Sequence, residues 1–232
     1  TCSIKRIIVK DSEQEDNICF YSKKKPIIPM GYMIENKHLS GQLIKLLIKE
    51  KNVTKFDTKI LNFSRTDKNI KIYLVNKQII TCSLLIGADG KHSYVRELAE
   101  IKYIKKNYNQ KAFIFNVKHE KRHNNLAVEN FLEHGPLAAL PIIKNNDKFY
   151  SSIVWSCNHP FYFQIMNSKN NQKNIFLNNY LSNFYGNLRI SSEIKSWDLY
   201  LIHANQYIGH RILLLGDAAH ALHPLAGQGF NL

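Results

Sequence analysis

The apolar residues of this chain recur with two periods, which predict two helices and a series of short strands. Leucines at three- and four-residue spacing predict an amphipathic helix over residues 37–50, and a more polar helix is predicted over 171–188. Elsewhere, β-branched and aromatic runs separated by polar turns favour antiparallel strands. The predicted strands are 3–9, 17–21, 53–56, 59–63, 70–75, 78–86, 112–117, 126–132, 137–143, 150–155 and 196–202.

Two apolar runs end in a glycine turn that carries an aspartate. Residues 84–86 precede a Gly-Ala-Asp-Gly turn, and residues 212–215 precede a Gly-Asp turn. The unbroken run at 212–215 is typical of a strand that is buried on both faces, and residues 84–86 would end a buried strand. Open α/β sheets bind ligands at the carboxyl ends of such strands, so the sequence predicts a ligand site beside the Gly216-Asp217 turn.

The first turn leads into a predicted helix that starts near Tyr94. Ser93 is suited to cap this helix, and Arg96 lies in its first turn. With Asp89 and Gly90, the strand, glycine turn and helix start form a corner that suits a phosphate group. Taken alone, the string is equally compatible with an ordinary strand–turn–helix unit.

The second turn opens a longer glycine-rich string. Its aspartate can accept hydrogen bonds from sugar or ribityl hydroxyls, its proline stiffens the loop, and its glycines let the backbone approach a flat ligand closely. The string would end at the start of a helix, where free N–H groups favour negative charge. The residues concerned are Gly216, Asp217, Pro224, Gly227, Gly229, Phe230 and Asn231.

Composition narrows the choice of partners. The formal net charge is +14, which is compatible with nucleic acid, a membrane surface or an acidic ligand, but the lysines are scattered and no nucleic-acid module signature is present. His220 and His223 lack a second ligand pair, so we expect no metal site. The four cysteines form no Cys-x-x-Cys pair and no apolar run has transmembrane length, which favours a reducing, cytoplasmic location.

The second string, from Gly216-Asp-Ala-Ala-His220 to Gly227-Gln-Gly-Phe-Asn231, resembles the second FAD-binding motif of the aromatic-hydroxylase flavoproteins, typified by para-hydroxybenzoate hydroxylase. The first turn resembles the Asp-Gly motif of that family. Further strings resemble those of the ubiquinone-biosynthesis hydroxylases, and they are Gly-Tyr-Met-Ile-Glu-Asn at 31–36, Glu-Asn-Phe at 129–131 and Gly-Pro-Leu-Ala-Ala-Leu-Pro at 135–141.

The chain departs from the family pattern in two places. Asn130 replaces the arginine that relatives have between the glutamate and the phenylalanine, which puts the role of that arginine in doubt. The dinucleotide-binding Gly-x-Gly-x-x-Gly string is absent, and we expect it upstream of Thr1. Because the chain also stops inside the glycine-rich string, we expect it to be a fragment that lacks sequence at both ends.

The resemblance implies an α/β fold in which an incomplete, Rossmann-like FAD-binding domain is interleaved with an antiparallel β-sheet substrate domain. It assigns residues 32–105 and 209–232 to the FAD-binding domain, and residues 1–31 and 106–208 to the substrate domain. The apolar sheet face at 137–140 would roof the substrate. The cofactor-binding residues implied by the resemblance are Asp89, Gly90, Arg96, Gly216, Asp217, Pro224, Gly227, Gly229, Phe230 and Asn231.

The implied activity is an FAD- and NAD(P)H-dependent monooxygenase that uses O2 to hydroxylate a lipid-like phenol, a polyprenylated ubiquinone precursor. No catalytic side chain is implied, because the flavin carries the chemistry. Such a substrate and a basic surface are compatible with a cytoplasmic protein that is peripheral at the inner membrane face. Three alternatives remain open: another flavoprotein of this fold (a prenyl reductase, epoxidase or halogenase), an inactive flavoprotein remnant, and a basic module that binds membrane or nucleic acid.

Overall fold

The structure is a computed structural model that describes residues 1–11, 16–24, 27–144 and 148–223. Its α-helices are α1 (Asn36–Lys49), α2 (Tyr94–Leu98), α3 (His159–Asn167) and α4 (Asn170–Tyr185). Its strands are β1 (Cys2–Ile4), β2 (Arg6–Asp11), β3 (Asn17–Tyr21), β4 (Lys23–Lys24), β5 (Ile27–Ile28), β6 (Gly31–Met33), β7 (Ile60–Arg65), β8 (Ile70–Leu74), β9 (Ile79–Cys82), β10 (Leu85–Gly87), β11 (Tyr103–His119), β12 (Leu126–Leu132), β13 (Gly135–Ile142), β14 (Phe149–Asn158), β15 (Leu188–Ile190), β16 (Lys195–Ala204), β17 (Ile208–Gly209), β18 (Ile212–Leu214) and β19 (His220–Ala221).

The chain divides into two compact units, which we call unit 1 (1–47 and 109–199) and unit 2 (48–108 and 200–232). The long strands β11 and β16 have residues in both units. The assignment of these regions to a substrate domain and an FAD-binding domain stays a prediction.

Unit 1 is built on an antiparallel sheet whose strands run in the order β16-β11-β14-β13-β12-β2-β3, with β12 and β2 parallel. Alternate residues of each strand point to the same side of the sheet. On one side these residues are apolar, and α3 and α4 pack against them. Phe113, Leu137, Ile153 and Trp155 lie in this core and are at most 2% exposed. The opposite face carries the intervening residues of the same strands.

Unit 2 contains two small sheets, in the orders β10-β18-β17 and β7-β8-β9. Strands β10 and β18 are parallel, and β17 returns antiparallel to β18. Their shared core includes Ile70, Val95, Ile212 and Leu214. The predicted fold class, a mixed α/β fold, is confirmed.

Several predicted elements differ from the structure. Residues 53–56 form no strand, and the predicted strand 78–86 is two strands, β9 and β10, that belong to different sheets. Helix α3 was not predicted, although Asn158 caps it by accepting a hydrogen bond from the Phe161 N–H at 3.0 Å and Pro160 lies in its first turn. An Asn followed closely by Pro is a recognised helix start, so the sequence does carry a signal for α3.

In the part of the chain that the structure describes, the prediction that residues 212–215 are buried on both faces is wrong, and residues 84–86, predicted to end a buried strand, are only partly buried. Leu85, Ile212 and Leu214 are buried, but Ile86 is 47% exposed and Leu215 is 46% exposed. One face of β10 and β18 therefore packs on the core of unit 2, and the other face is open. Among the described residues, no helix is long and apolar enough to cross a membrane.

Candidate active site

The two glycine turns predicted to form a ligand site lie at the same edge of one sheet. Gly87 of β10 is in register with Leu214 of β18 in a parallel pair. The Leu215 N–H donates to the Gly87 carbonyl at 2.9 Å, which extends the pairing to the point where both strands end. The carboxyl ends of the two strands therefore bring the turns that carry Asp89 and Asp217 to one edge of the sheet.

Asp89 organises the first turn. Its carboxylate accepts hydrogen bonds from the Ser93 hydroxyl at 2.6 Å and from the backbone N–H groups of Tyr94 at 2.7 Å and Val95 at 3.1 Å. Ser93 in turn accepts from the Arg96 N–H, which confirms it as the cap of α2. Partial burial acts to raise the pKa of Asp89, but these hydrogen bonds outweigh it, and the pKa is lower than that of a free aspartate.

Replacing Asp89 with asparagine should lower the free energy of unfolding by about 1 kcal/mol at pH 7, because the amide turns one acceptor oxygen into a donor that faces N–H groups. The folded-state pKa of Asp89 is depressed. The contribution of Asp89 to the free energy of unfolding is therefore present above its unfolded-state pKa, and it is lost as the pH falls through its folded-state pKa. Urea unfolding at pH 7 and pH 3 measures the free energy of unfolding of Asp89→Asn and of wild type, and the difference between the two proteins should be smaller at pH 3. Asp67→Asn, at an exposed turn in the same unit, is the matched control, and an equal loss in both variants would contradict the capping role.

Gly87 was not named as a site residue, yet the turn depends on it. A Cβ at this position would lie 2.9 Å from Leu214 Cδ2 and 3.0 Å from Val95 Cβ. Only glycine lets α2 approach the two strands this closely. The spacing Gly-x-Asp-Gly carries this signal, since its first glycine closes the strand and its second makes the turn.

Arg96 joins the two turns. It is 1% exposed, its Nη1 donates to the Ala218 carbonyl at 2.8 Å, and its Nη2 donates to the Lys91 carbonyl at 3.0 Å. Its guanidinium also lies 4.2 Å from the centroid of the Tyr103 ring. Two of its nitrogens are thus bonded within the protein, and the role predicted for it at a pyrophosphate stays a prediction.

The second turn leaves its polar group available to a ligand. Gly216 has a φ of +56° and starts a short 3₁₀ turn, Gly216–Ala218. Asp217 is exposed, and within the described ranges no hydrogen bond or ion pair reaches its carboxylate. A Cβ built on Gly90 or on Gly216 would meet no atom within 4 Å. Open space beside both glycines and an unengaged carboxylate fit a cofactor that has hydroxyl and phosphate groups.

The remaining predicted cofactor-binding residues, Pro224, Gly227, Gly229, Phe230 and Asn231, lie outside the described residues, and their roles stay predictions.

The two histidines of the second string pack against tyrosines. Tyr207 stacks on His220, with ring centroids 5.7 Å apart, and Tyr108 meets His223 edge-on at 5.2 Å. Burial lowers the pKa of His223. Across residues 1–11, 16–24, 27–144 and 148–223, no group of three His, Cys, Asp or Glu side chains is arranged to hold a metal.

The predicted substrate roof at 137–140 needs a correction. Leu137 and Ala139 are fully buried in the core against α3 and α4, and only Ala138 and Leu140 point to the opposite face of the sheet. Four consecutive strand residues cannot share one face, because side chains alternate. Asn130, which replaces the family arginine, also faces the core, where its Nδ2 donates to the Tyr180 carbonyl at 3.2 Å.

Solved structures of similar fold are flavoproteins. PqsL of Pseudomonas aeruginosa, described as a probable FAD-dependent monooxygenase, matches with a TM-score of 0.77 at 19% identity over 98% of this chain and 64% of its own. The flavin-dependent halogenase CmlS matches with a TM-score of 0.74 at 12% identity over 100% of this chain and 44% of its own. At these identities the likeness shows the fold alone.

Curated relatives carry the names of ubiquinone hydroxylases. The chain is 35% identical to the ubiquinone hydroxylase UbiL of Rhodospirillum rubrum, over 88% of this chain and 47% of the relative. It is 31% identical to the 3-demethoxyubiquinol 3-hydroxylase of Escherichia coli, over 88% of this chain and 51% of the relative. It is 29% identical to the human ubiquinone biosynthesis monooxygenase COQ6, over 99% of this chain and 57% of the relative. The chain therefore spans about half the length of these relatives.

The family model of the FAD binding domain matches residues 41–232, a range that contains both glycine turns and the Arg96 side chain that joins them. The resemblance drawn from the two motifs is confirmed, and the chain belongs to this FAD-binding-domain family.

Proposed function

We propose that the protein is a flavin-dependent monooxygenase that hydroxylates a phenolic, polyprenylated precursor of ubiquinone, with NAD(P)H and O2 as co-substrates. The observation that carries the proposal is the pair of glycine–aspartate turns at adjacent carboxyl ends of parallel strands, joined by Arg96. The names of the relatives, UbiL, COQ6 and the 3-demethoxyubiquinol hydroxylase, support the substrate class.

In this proposal the chain holds and orients the cofactor, and FAD supplies the oxygen-activating chemistry when it is bound. Asp217 accepts hydrogen bonds from ribityl hydroxyls. Gly90 leaves room for the pyrophosphate beside the turn that Asp89 holds rigid. Arg96 fixes the distance between the two turns, so that both can engage one ligand without rearrangement.

The proposal extends to a peripheral association with the membrane that supplies the substrate. A formal net charge of +14 favours anionic lipid surfaces, and such binding weakens as salt screens the charges. Sedimentation with anionic and neutral vesicles at low and high salt measures this, and equal binding to both vesicle types would contradict it.

The test is a flavin spectrum followed by a product analysis of the full-length protein. Bound FAD, consumption of NADH or NADPH, and a phenol product heavier by one oxygen atom are expected. If the phenol ring is unchanged, reduction of a C=C bond in a prenyl substrate would favour a reductase of the same fold. Epoxidation of that bond would favour an epoxidase. Absence of flavin after desalting would favour an inactive remnant.

Replacing Asp217 with alanine should weaken FAD binding about 10- to 100-fold, because one or two charge-assisted hydrogen bonds to hydroxyls are lost. Titration of the apoprotein with FAD, followed by quenching of flavin fluorescence, measures the affinity. Thermal unfolding without flavin should be unchanged, since the Asp217 side chain is exposed. Asp67→Ala is the matched control for loss of one exposed carboxylate in the same unit. Unchanged FAD affinity in Asp217→Ala would remove this residue from the site.

A further inference from the structure

One carboxyl group lies in an otherwise apolar row that crosses the sheet of unit 1. Glu129 on β12 is directly opposite Val9 of β2 on one side and Ala138 of β13 on the other. The pairing continues outward on both sides through the neighbouring strands. In sheet order the row is Ile18, Val9, Glu129, Ala138, Val154 and Ile114.

This row lies on the face opposite α3 and α4. The residues on either side of Glu129 in the sequence, Val128 and Asn130, point into the helix-covered core, so Glu129 must point the other way. On that face Phe131 is 39% exposed and Ile114 is 38% exposed. The face is thus apolar and partly open, and Glu129 is half-buried within it.

Glu129 has no structural partner in the part of the chain that the structure describes. No hydrogen bond or ion pair reaches its carboxylate, and burial raises its pKa to about 7. On the same face, the surrounding elements carry Asp11 at the end of β2, Tyr150 on β14 and Lys118 on β11, with Cys2 and Tyr32 on the β1–β6 pair. Arg6 and Lys10 of β2 alternate with Val9 and, like Ile8, point to the helix-covered side. None of them belongs to the row, so no cation holds Glu129 in its charged form there.

A desolvated carboxyl without a partner lowers stability, so packing does not explain its position. A group of this kind on an open apolar surface is suited to exchange a proton with a bound ligand near neutral pH. Two other polar sites in the molecule are less suited to proton exchange with a ligand. The cleft lined by Arg122, Lys144 and Lys148 borders residues outside the described ranges, and the buried His119 is already bonded to the Lys121 carbonyl and Ser151.

We propose that Glu129 is the catalytic residue that accepts the proton of the phenolic hydroxyl when the substrate ring lies on this sheet face. The inference rests on the proposed function. The phenol O–H bond breaks, an O–H bond forms on the Glu129 carboxylate, and no electrons are transferred. The resulting phenolate has an electron-rich ring, which suits attack on an electrophilic oxygen. Phe131 on the same strand and Val154 two strands away would contact the ring, and Ile114, one strand further along the row, would contact its alkyl substituents.

The test uses 4-nitrophenol, a phenol whose phenolate is yellow, with the full-length protein in the absence of NAD(P)H. At a pH where Glu129 is ionised and part of the free probe is still protonated, binding to wild type should increase the phenolate band without release of a proton to the medium. Glu129→Gln should bind the probe without this increase in colour, and Glu129→Asp should restore part of it. Glu133→Gln, the same change at the exposed turn that follows β12, should behave as wild type.

A second readout is the pH profile of kcat for hydroxylation, whose acidic limb near pH 7 should disappear in Glu129→Gln. Folding is checked by urea unfolding: the folded-state pKa lies above the unfolded-state value, so wild type loses stability as the pH rises from 5 to 8, and Glu129→Gln should be the more stable at pH 8. An increase in colour that persists in Glu129→Gln, or a wild type that binds the probe without an increase in colour, overturns the inference. Colour in wild type without any hydroxylation would overturn the proposed function alone.

Discussion

Replacing Arg96 with alanine should lower the stability of unit 2 by about 3–4 kcal/mol and abolish measurable FAD binding at micromolar flavin, because two hydrogen bonds from a buried guanidinium and a packed side chain are lost together. The carbonyls of Ala218 and Lys91 would each lose a charged donor. The space left beside the Tyr103 ring would admit water or collapse. Either change releases one glycine turn from the other, so the cofactor would have to order both turns when it binds.

The controls separate this joining role from general loss of charge. Arg65→Ala removes an exposed arginine that stacks on Phe63 in the same unit, and should change stability by less than about 0.5 kcal/mol. Arg96→Lys keeps the charge but has a single nitrogen, which cannot reach two carbonyls, and should recover only part of the stability. Urea unfolding followed by far-ultraviolet circular dichroism measures stability, and flavin fluorescence measures binding. Wild-type FAD affinity in Arg96→Ala would show that the two turns need no such link.

The two glycine turns and the cap of α2 could be predicted from the sequence because their signals are local. A short apolar run, a glycine turn and a capped helix follow one another between residues 84 and 98, and Ser93 and Asp89 accept from N–H groups that are at most six positions away. The parallel pairing of the two strands that precede these turns was not predicted, because it joins residues more than 120 positions apart. Chemistry that is encoded in one continuous string is accessible to pattern reading.

The link through Arg96 could not be predicted in the same way. Its Nη1 reaches a carbonyl 122 positions away, and neither periodicity nor spacing reports on such a contact. The direction of Leu137 and Ala138 was equally hidden, because both faces of β13 are apolar and the usual alternation of polar and apolar residues is absent. Glu129 became informative only when the register placed it between Val9 and Ala138.

Gly135 shows how one position in the family-like Gly-Pro-Leu-Ala string serves the architecture. Its φ is +124°, and a Cβ there would lie 2.2 Å from the backbone oxygen of Ser156. A backbone oxygen cannot turn aside as a flexible side chain can, so any side chain at 135 must push β14 away from the start of β13. The string therefore marks a position where two strands approach closely. This close approach explains why its first residue is glycine, and no contact between Gly135 and the substrate is needed.

Replacing Gly135 with alanine should lower the free energy of unfolding by about 4 kcal/mol, from the left-handed φ and the enforced strand displacement together. Trp155 precedes the displaced residue and is 2% exposed, so a red shift of its fluorescence should accompany the loss. Gly41→Ala is the matched control: a Cβ there meets no atom within 4 Å inside α1, and the change should stabilise by up to about 1 kcal/mol. Wild-type stability and unchanged Trp155 emission in Gly135→Ala would mean that β14 can move freely at this point, and the glycine would then need a functional explanation.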